Sequence, residues 1–302
     1  MKKTNQGIWQ FAERLPELPL SFRLTLGEGN TNLIAKNRVY FKCEYENPTG
    51  SIKDRGLCFQ IAKLAENKVR HAVISSSGNA AMAAAAYCRL AGIELSVFVS
   101  PNIKKGKLAV LKEKADVHID NRPVSRAHQY ALNNNFYNLR QSTDLNAAFG
   151  FETVSFEINE AIGKIDDLFL AVSSGTALKG MADGFKKLGY HPRFHAVQTA
   201  KIHPLAGQFD NDFIPEKISL ADAIVARVLP REKELLNIIR ESGGFGWVIP
   251  NIDMQKARSA LLKIGLDSSF EGAAAYAAVE KAKRKGFPLG KTAVILTGKY
   301  YG

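Results

Sequence analysis

The sequence predicts an α/β fold in two domains, with mostly parallel sheets flanked by helices. Three observations carry that expectation. The chain has 302 residues, enough for about two domains at roughly 100–200 residues each. Short β-branched or apolar runs alternate with alanine-rich amphipathic runs of helical length. Apolar residues make up 46% and charged residues 23%, an ordinary globular balance that excludes a disordered or fibrous chain.

The run His71-Ala72-Val73-Ile74-Ser75 reads as a buried strand, and residues 79–91 as a helix closed by Gly92. Residues 94–100 form the next strand, ended by Pro101, and a helix follows over about 104–114. A short strand at 116–119 precedes helical periodicity over 124–133. Further on, 168–172 is a strand, 177–188 a helix ended by Gly189, and 194–198 a strand. A strand at 246–249 leads to a helix over about 253–264. The last helix, 271–285, runs through Gly286 into a strand at 292–296. Crossover units of this kind make parallel sheets, which place ligands at the carboxyl ends of their strands. The loops after Ser75, Val172 and Leu296 are therefore where a site is expected.

Several function classes can be weighed from composition. No stretch approaches the ~18 uninterrupted apolar residues of a membrane span. The start, Met1-Lys2-Lys3-Thr4-Asn5-Gln6-Gly7, is basic but lacks a following apolar run and cleavage site, so neither a secretory signal nor an anchor is read. Cys43, Cys58 and Cys88 are an odd count without paired spacing, which fits a reduced interior. A cytoplasmic enzyme is expected. The net charge of +12 raises nucleic-acid binding, which would be steeply salt-dependent. The densest runs, Lys104-Lys105-Gly106-Lys107 and Lys281-Ala282-Lys283-Arg284-Lys285, are not interleaved with stacking aromatics. They read as solvated helix faces or ends, so no nucleic-acid partner is expected.

Three familiar motifs fail. Gly27-Glu28-Gly29 lacks the third glycine of a dinucleotide fingerprint. Gly286-Phe287-Pro288-Leu289-Gly290-Lys291-Thr292 is one residue short of a phosphate-binding loop and precedes a strand instead of following one, so it reads as a helix stop and turn. His191 and His195 are separated by Pro192 and do not share a helical face, so no metal site is expected.

Three loops converge on one chemistry. In Asn47-Pro48-Thr49-Gly50-Ser51-Ile52-Lys53-Asp54-Arg55-Gly56, a turn leads into Ser51 as an expected N-cap, with Lys53 in the opening turn of a helix. The positive end of the helix dipole repels a cation by about 0.3–1 kcal/mol, which favours a neutral, nucleophilic amine. A solvated surface lysine is the simpler reading of Lys53 taken alone. Ser75-Ser76-Ser77-Gly78-Asn79-Ala80 joins a strand to a helix and offers hydroxyls, an amide and free N–H groups to a carboxylate; a serine cap is its plainer explanation. Val172-Ser173-Ser174-Gly175-Thr176-Ala177 repeats the arrangement and suits a phosphate, with a bare cap again the alternative.

With those residues in view, the sequence resembles fold-type II pyridoxal-phosphate enzymes (the tryptophan synthase β-like fold), and among them most closely threonine synthases. Leu26-Gly27-Glu28-Gly29-Asn30-Thr31 resembles the opening segment of threonine synthases. Ser51-Ile52-Lys53-Asp54-Arg55 matches the cofactor-lysine motif, although the preceding Asn47-Pro48-Thr49-Gly50 is closer to cysteine synthases. Ser77-Gly78-Asn79 matches the asparagine loop, Ile295-Leu296-Thr297-Gly298 the closing threonine motif, and Glu271-Gly272-Ala273-Ala274 a late Glu-Pro-Ala segment with glycine for proline.

The resemblance implies a cofactor between two domains: a smaller one at 41–146 with the cofactor lysine and asparagine loop, and a larger one of 1–40 plus 147–302. It implies that Lys53 bonds the cofactor covalently and acts as catalytic base, with Ser77 as a proton relay. Asn79 would bond the ring hydroxyl, Ser76, Ser77, Gly78, Asn79 and Ala80 the substrate carboxylate. Ser173, Ser174, Gly175, Thr176 and Ala177 would hold the cofactor phosphate, and Thr297 would face the pyridine nitrogen.

The implied activity is a lyase of amino-acid biosynthesis converting O-phosphohomoserine and water to threonine and phosphate, with a small amino-acid substrate and a homodimeric state. The alternatives are β-replacement or β-elimination on a hydroxyamino acid, as in cysteine synthases or threonine/serine dehydratases, or a catalytically altered homologue. Two departures bear on the choice. Ser173 and Thr176 stand where the family's phosphate loop has glycines. The stretch Asn146-Ala147-Ala148-Phe149-Gly150-Phe151-Glu152-Thr153 is two residues shorter than its threonine synthase counterpart and lacks the arginine for a substrate phosphate, leaving Arg140 as a substitute cation.

Overall fold

The structure, a computed structural model, describes residues 6–103 and 105–301. The basic start at residues 1–5 and Lys104 lie outside the described residues. In chain order the strands are β1 (Leu33–Lys36), β2 (Val39–Lys42), β3 (His71–Ser75), β4 (Glu94–Val99) and β5 (Asp116–Ile119). They continue with β6 (Tyr137–Asn138), β7 (Asp167–Ala171), β8 (Arg193–Thr199), β9 (Phe245–Ile249) and β10 (Thr292–Ile295). The helices are α1 (Lys53–Glu66), α2 (Asn79–Ala91), α3 (Lys105–Lys112), α4 (Pro123–Asn134) and α5 (Phe149–Ile162), then α6 (Thr176–Lys187), α7 (Glu232–Glu241), α8 (Asn251–Lys263) and α9 (Phe270–Arg284). Every strand and helix expected from the sequence is present within two or three residues of its expected bounds. The hairpin β1–β2, the two-residue β6, α5 and α7 were not anticipated.

Contacts group the chain into two units: residues 6–29, 47–49 and 53–150, and residues 30–46, 50–52 and 151–301. The first holds a four-stranded sheet in the order β5-β4-β3-β6, with every neighbouring pair parallel. The amino-terminal stretch 6–29 packs here, whereas the sequence reading gave all of 1–40 to the larger domain. The physical reason is Glu28, whose fully buried carboxylate accepts from Ile8 N–H (3.2 Å), Leu26 N–H (3.0 Å), Tyr87 O–H (2.8 Å) and the Cys58 thiol (3.1 Å). A buried carboxylate needs those donors, and α1 and α2 supply two of them. Trp9 stacks obliquely on Phe59 of α1 with ring centroids 5.7 Å apart, and its indole N–H donates to the Leu24 carbonyl.

The second unit holds a six-stranded sheet in the order β1-β2-β10-β7-β8-β9, parallel except for the β1–β2 hairpin. Side chains alternate across it as a pleated strand requires. Phe169, Val197 and Val294 face one core with α8 and α9, while Leu168, Leu170, Ala196, Ala293 and Ile295 face another with α5, α6 and α7. Burial on both faces is why these strands read as continuous apolar runs. Between them lies a closed polar chain. Trp247 N–H donates to His195 Nδ1 (3.1 Å), which leaves His195 Nε2 to donate to Asp167 (3.0 Å). Burial lowers the His195 pKa, so the ring stays neutral and this tautomer is fixed by its partners.

Among the described residues no helix is long and apolar enough to cross a membrane. The three cysteines are free and buried, and burial pushes the Cys43 thiol up to about 11 and Cys88 to about 12. Gly286 ends α9 in the left-handed region (φ +70°), as expected of a helix stop.

Candidate active site

In the first unit, α1 begins at Lys53. Ser51 is not its N-cap. Ser51, two residues before the first helical residue, pairs with Gly298 as an isolated antiparallel bridge, and Ile52 N–H donates to the Thr297 carbonyl (2.9 Å). The turn before the helix is held by Asp54, whose carboxylate accepts from the Thr49 N–H (3.0 Å) and hydroxyl (2.8 Å).

Lys53 Nζ donates to Gln141 Oε1 at 3.2 Å. Burial of the amine lowers its pKa from 10.5 to about 8. Desolvation by burial is the cause, since an ammonium loses more hydration than an amine. The result is an amine substantially neutral in mildly alkaline water, the state a nucleophile or proton acceptor needs.

The loop 75–78 leaves β3 and enters α2. Its serines do not cap the helix: Gly78 occupies the N-cap and no side chain bonds the first turn. Ser76 Oγ accepts from Gly78 N–H (3.2 Å), Ser77 is exposed, and Gly78, Asn79 and Ala80 are half-buried. Asn79 Oδ1 is buried with no hydrogen-bond partner. Such an atom costs about 1–3 kcal/mol unless something bonds it.

β6 is the parallel neighbour of β3, and Leu139 N–H donates to the Val73 carbonyl (2.8 Å), so the loop carrying Gln141 leaves the sheet at the same end as the 75–78 loop. Lys53, Gln141 and the Ser76–Ala80 stretch are thereby gathered at the carboxyl end of β3 and β6. Gln141 escaped the sequence reading because it follows a strand of only two residues and heads no helix.

In the second unit, α6 follows β7 through Ser173-Ser174-Gly175. Gly175 is the N-cap in the left-handed region (φ +82°), again with no side-chain cap. A methyl there would lie 2.2 Å from Leu235 Cδ1, so both conformation and packing demand glycine. Ser174 Oγ and Thr176 Oγ1 are 3.1 Å apart, Ser173 Oγ accepts from Val225 N–H (3.2 Å), and Arg231 Nη1 approaches Thr176 Oγ1 at 3.5 Å. Thr176 is buried and Ala177 half-buried. An uncapped first turn with hydroxyls on its rim is a receptor for an anion. Thr297 follows β10, which lies parallel to β7, so Thr297 and the 172–175 loop leave adjacent strands at one end of this sheet.

The segment expected to differ from threonine synthases is mostly buried. Ala147, Ala148 and Phe151 are buried, and a methyl on Gly150 would meet the Arg55 carbonyl of α1 at 1.9 Å. Arg140 is exposed.

A family profile described as pyridoxal-phosphate dependent enzyme matches residues 24–298. The chain belongs to that family. Its cofactor is pyridoxal phosphate, and its fold is the two-domain fold-type II architecture. It is 34% identical over 243 residues to a threonine synthase of Halalkalibacterium halodurans, covering 72% of this chain and 66% of that protein. With a threonine synthase of Synechocystis it shares 32% over 221 residues, 63% of this chain and 56% of that protein. The aligned region thus spans just under two thirds of these relatives or less. Solved structures similar in fold include maize serine racemase, with TM-score 0.80, 20% identity and coverage of 91% of this chain and 89% of that one. An O-acetylserine dependent cystathionine β-synthase of Helicobacter pylori gives TM-score 0.75 at 20% identity, covering 90% and 93%. At these identities the structures speak for the fold alone.

Proposed function

We propose that the protein is a pyridoxal-phosphate lyase of the threonine synthase type, converting O-phosphohomoserine and water to threonine and phosphate. The observation that carries the lyase reading is the Lys53 amine, depressed to about 8 and held by Gln141 beside the loop of Asn79. The substrate rests on the relatives named threonine synthase.

The residues fit the cofactor. The orphaned Asn79 Oδ1 is an acceptor for its ring hydroxyl, Ser173, Ser174, Gly175, Thr176 and Ala177 offer an uncapped helix start to its phosphate, and Thr297 offers a neutral hydroxyl to its pyridine nitrogen. When bound, this cofactor withdraws electrons from the substrate α-carbon. Lys53, as a neutral amine, accepts the α-proton and returns it later. Ser77, exposed at the loop tip, relays a proton, and the N–H groups of Ser76 to Ala80 orient the substrate carboxylate. Thr297 cannot supply the charge that keeps a pyridine nitrogen protonated, which limits charge spread into the ring and suits eliminations and replacements at the β or γ carbon.

A second reading has its own support. The buried, alanine-lined 147–151 stretch carries no cation for a substrate phosphate, which favours a hydroxyamino acid or its ester undergoing β-elimination or β-replacement. Purified holoenzyme assayed for phosphate release from O-phosphohomoserine and for keto-acid release from serine and threonine separates the two. Phosphate release with threonine formed supports the first. Keto acid without phosphate release overturns it in favour of the second.

A further inference from the structure

We propose that Gln141 is a positioning residue for the Lys53 amine, held in place by a second tether between the same loop and α1. The inference rests on the reading of Lys53 as the cofactor-bonding lysine and goes beyond it, because nothing in the motif around Lys53 specifies what aims its amine.

The geometry is a two-point attachment. Gln141 is buried in the turn 139–144, where Thr143 N–H and Asp144 N–H both donate to the Arg140 carbonyl (3.0 and 3.1 Å). Three residues on, Asp144 accepts from Asn146 N–H (2.8 Å), Tyr137 O–H (2.7 Å) and Gln60 Nε2 of α1. Gln60 and Lys53 are seven residues apart, so they share one helix face about 10.5 Å from each other. The turn is therefore stapled to α1 at both positions: Gln60 to Asp144, and Lys53 to Gln141. Tyr137 belongs to β6, so the same carboxylate ties the turn to the sheet.

The chemistry explains a carboxamide at this position. Its oxygen accepts from an ammonium or an amine, fixing the nitrogen, yet adds no charge. A carboxylate there would favour the protonated form and hold the amine non-nucleophilic. On the packed elements, Asp54 accepts from Thr49, and Asp144 accepts from Gln60, Tyr137 and Asn146. Arg55 is buried along α1 and Arg140 is exposed at the turn.

The test uses the apoenzyme and its Gln141→Leu, Gln141→Glu and Gln60→Ala variants. Lys53 is acetylated with limiting acetic anhydride across pH 6–11 and quantified by peptide mass spectrometry. In this step the amine nitrogen bonds the acetyl carbon and releases acetate and a proton. Gln141→Glu is expected to raise the midpoint of Lys53 labelling by about one pH unit or more, and Gln141→Leu to lower it by a smaller amount. Gln60→Ala, which touches neither Lys53 nor Gln141, is expected to slow subsequent capture of pyridoxal phosphate by about threefold to tenfold, because a loosened tether misplaces the amine. Midpoints within 0.2 units of the unsubstituted protein in both Gln141 variants would overturn the proposal while leaving Lys53 as the cofactor lysine. Borohydride reduction of the holoenzyme supplies the separate check. Cofactor fixed to a different lysine would overturn the reading of Lys53, and this inference with it.

Discussion

The loops after β3 and β7 have nearly the same sequence grammar, serines then glycine at the mouth of a helix, yet their glycines do different work. Gly78 has φ −123°, which any residue adopts, and a methyl placed on it meets nothing within 4 Å. Gly175 has φ +82° and would drive a methyl into Leu235. One loop is open toward whatever it binds, and the other is locked from behind by a neighbouring helix. The difference suits the roles proposed for them, an open loop for changing substrates and a fixed one for a single resident anion.

The largest effect tests the shared premise of both loops. Lys53→Ala is expected to abolish the visible absorption band of covalently held cofactor in the purified protein, and an unaltered band would mean another lysine holds it. Next, Gly175→Ala is expected to cost about 2–4 kcal/mol, from left-handed backbone and overpacking together, in urea unfolding of the apoenzyme. Gly78→Ala is expected within about 0.5 kcal/mol of the unsubstituted protein. Equal losses would erase the distinction between the loops.

The third test concerns pH. Lys53 titrates near 8 in the folded chain and near 10.5 unfolded, so between those values the unfolded chain binds more protons and stability rises with pH. Lys53→Met should therefore stabilise the apoenzyme at pH 7 by roughly 1–3 kcal/mol, a gain that shrinks as pH climbs from 8 toward 10.5. A gain independent of pH would show that the amine is not depressed. The smallest effect sharpens the open loop. Asn79→Ala removes an unbonded buried oxygen, so apoenzyme stability should change by less than about 1 kcal/mol while cofactor affinity falls. A large loss in the apoenzyme would mean the amide is structural.

Much of this was legible from sequence. The alternation of β-branched runs with alanine-rich runs located most strands and helices, because burial on both sheet faces writes itself as continuous apolar stretches. The β1–β2 hairpin was missed because Asn37 and Arg38 turn with positive φ without a glycine to mark them. The helix α5 was hidden by its own burial: Phe151, Val154, Phe156 and Ile158 lie inside with buried Glu152 and Glu157, so no polar face shows a helical period. Of the residues proposed for the site, Lys53 and Asn79 were singled out through their loops. Gln141 was not, since its place depends on the β3–β6 pairing, a long-range contact with no local signature. The bridge between Ser51 and Gly298, far along the chain, left no local mark either.

The two tryptophans have a practical consequence. Trp9 sits in the first unit against Phe59, and Trp247 in the second against His195, and the sequence contains no others. Each half of the molecule thus carries one intrinsic fluorophore with its own quenching environment. With either replaced by phenylalanine, emission from the survivor would follow melting in a single half, and the two traces would show whether the halves lose structure together.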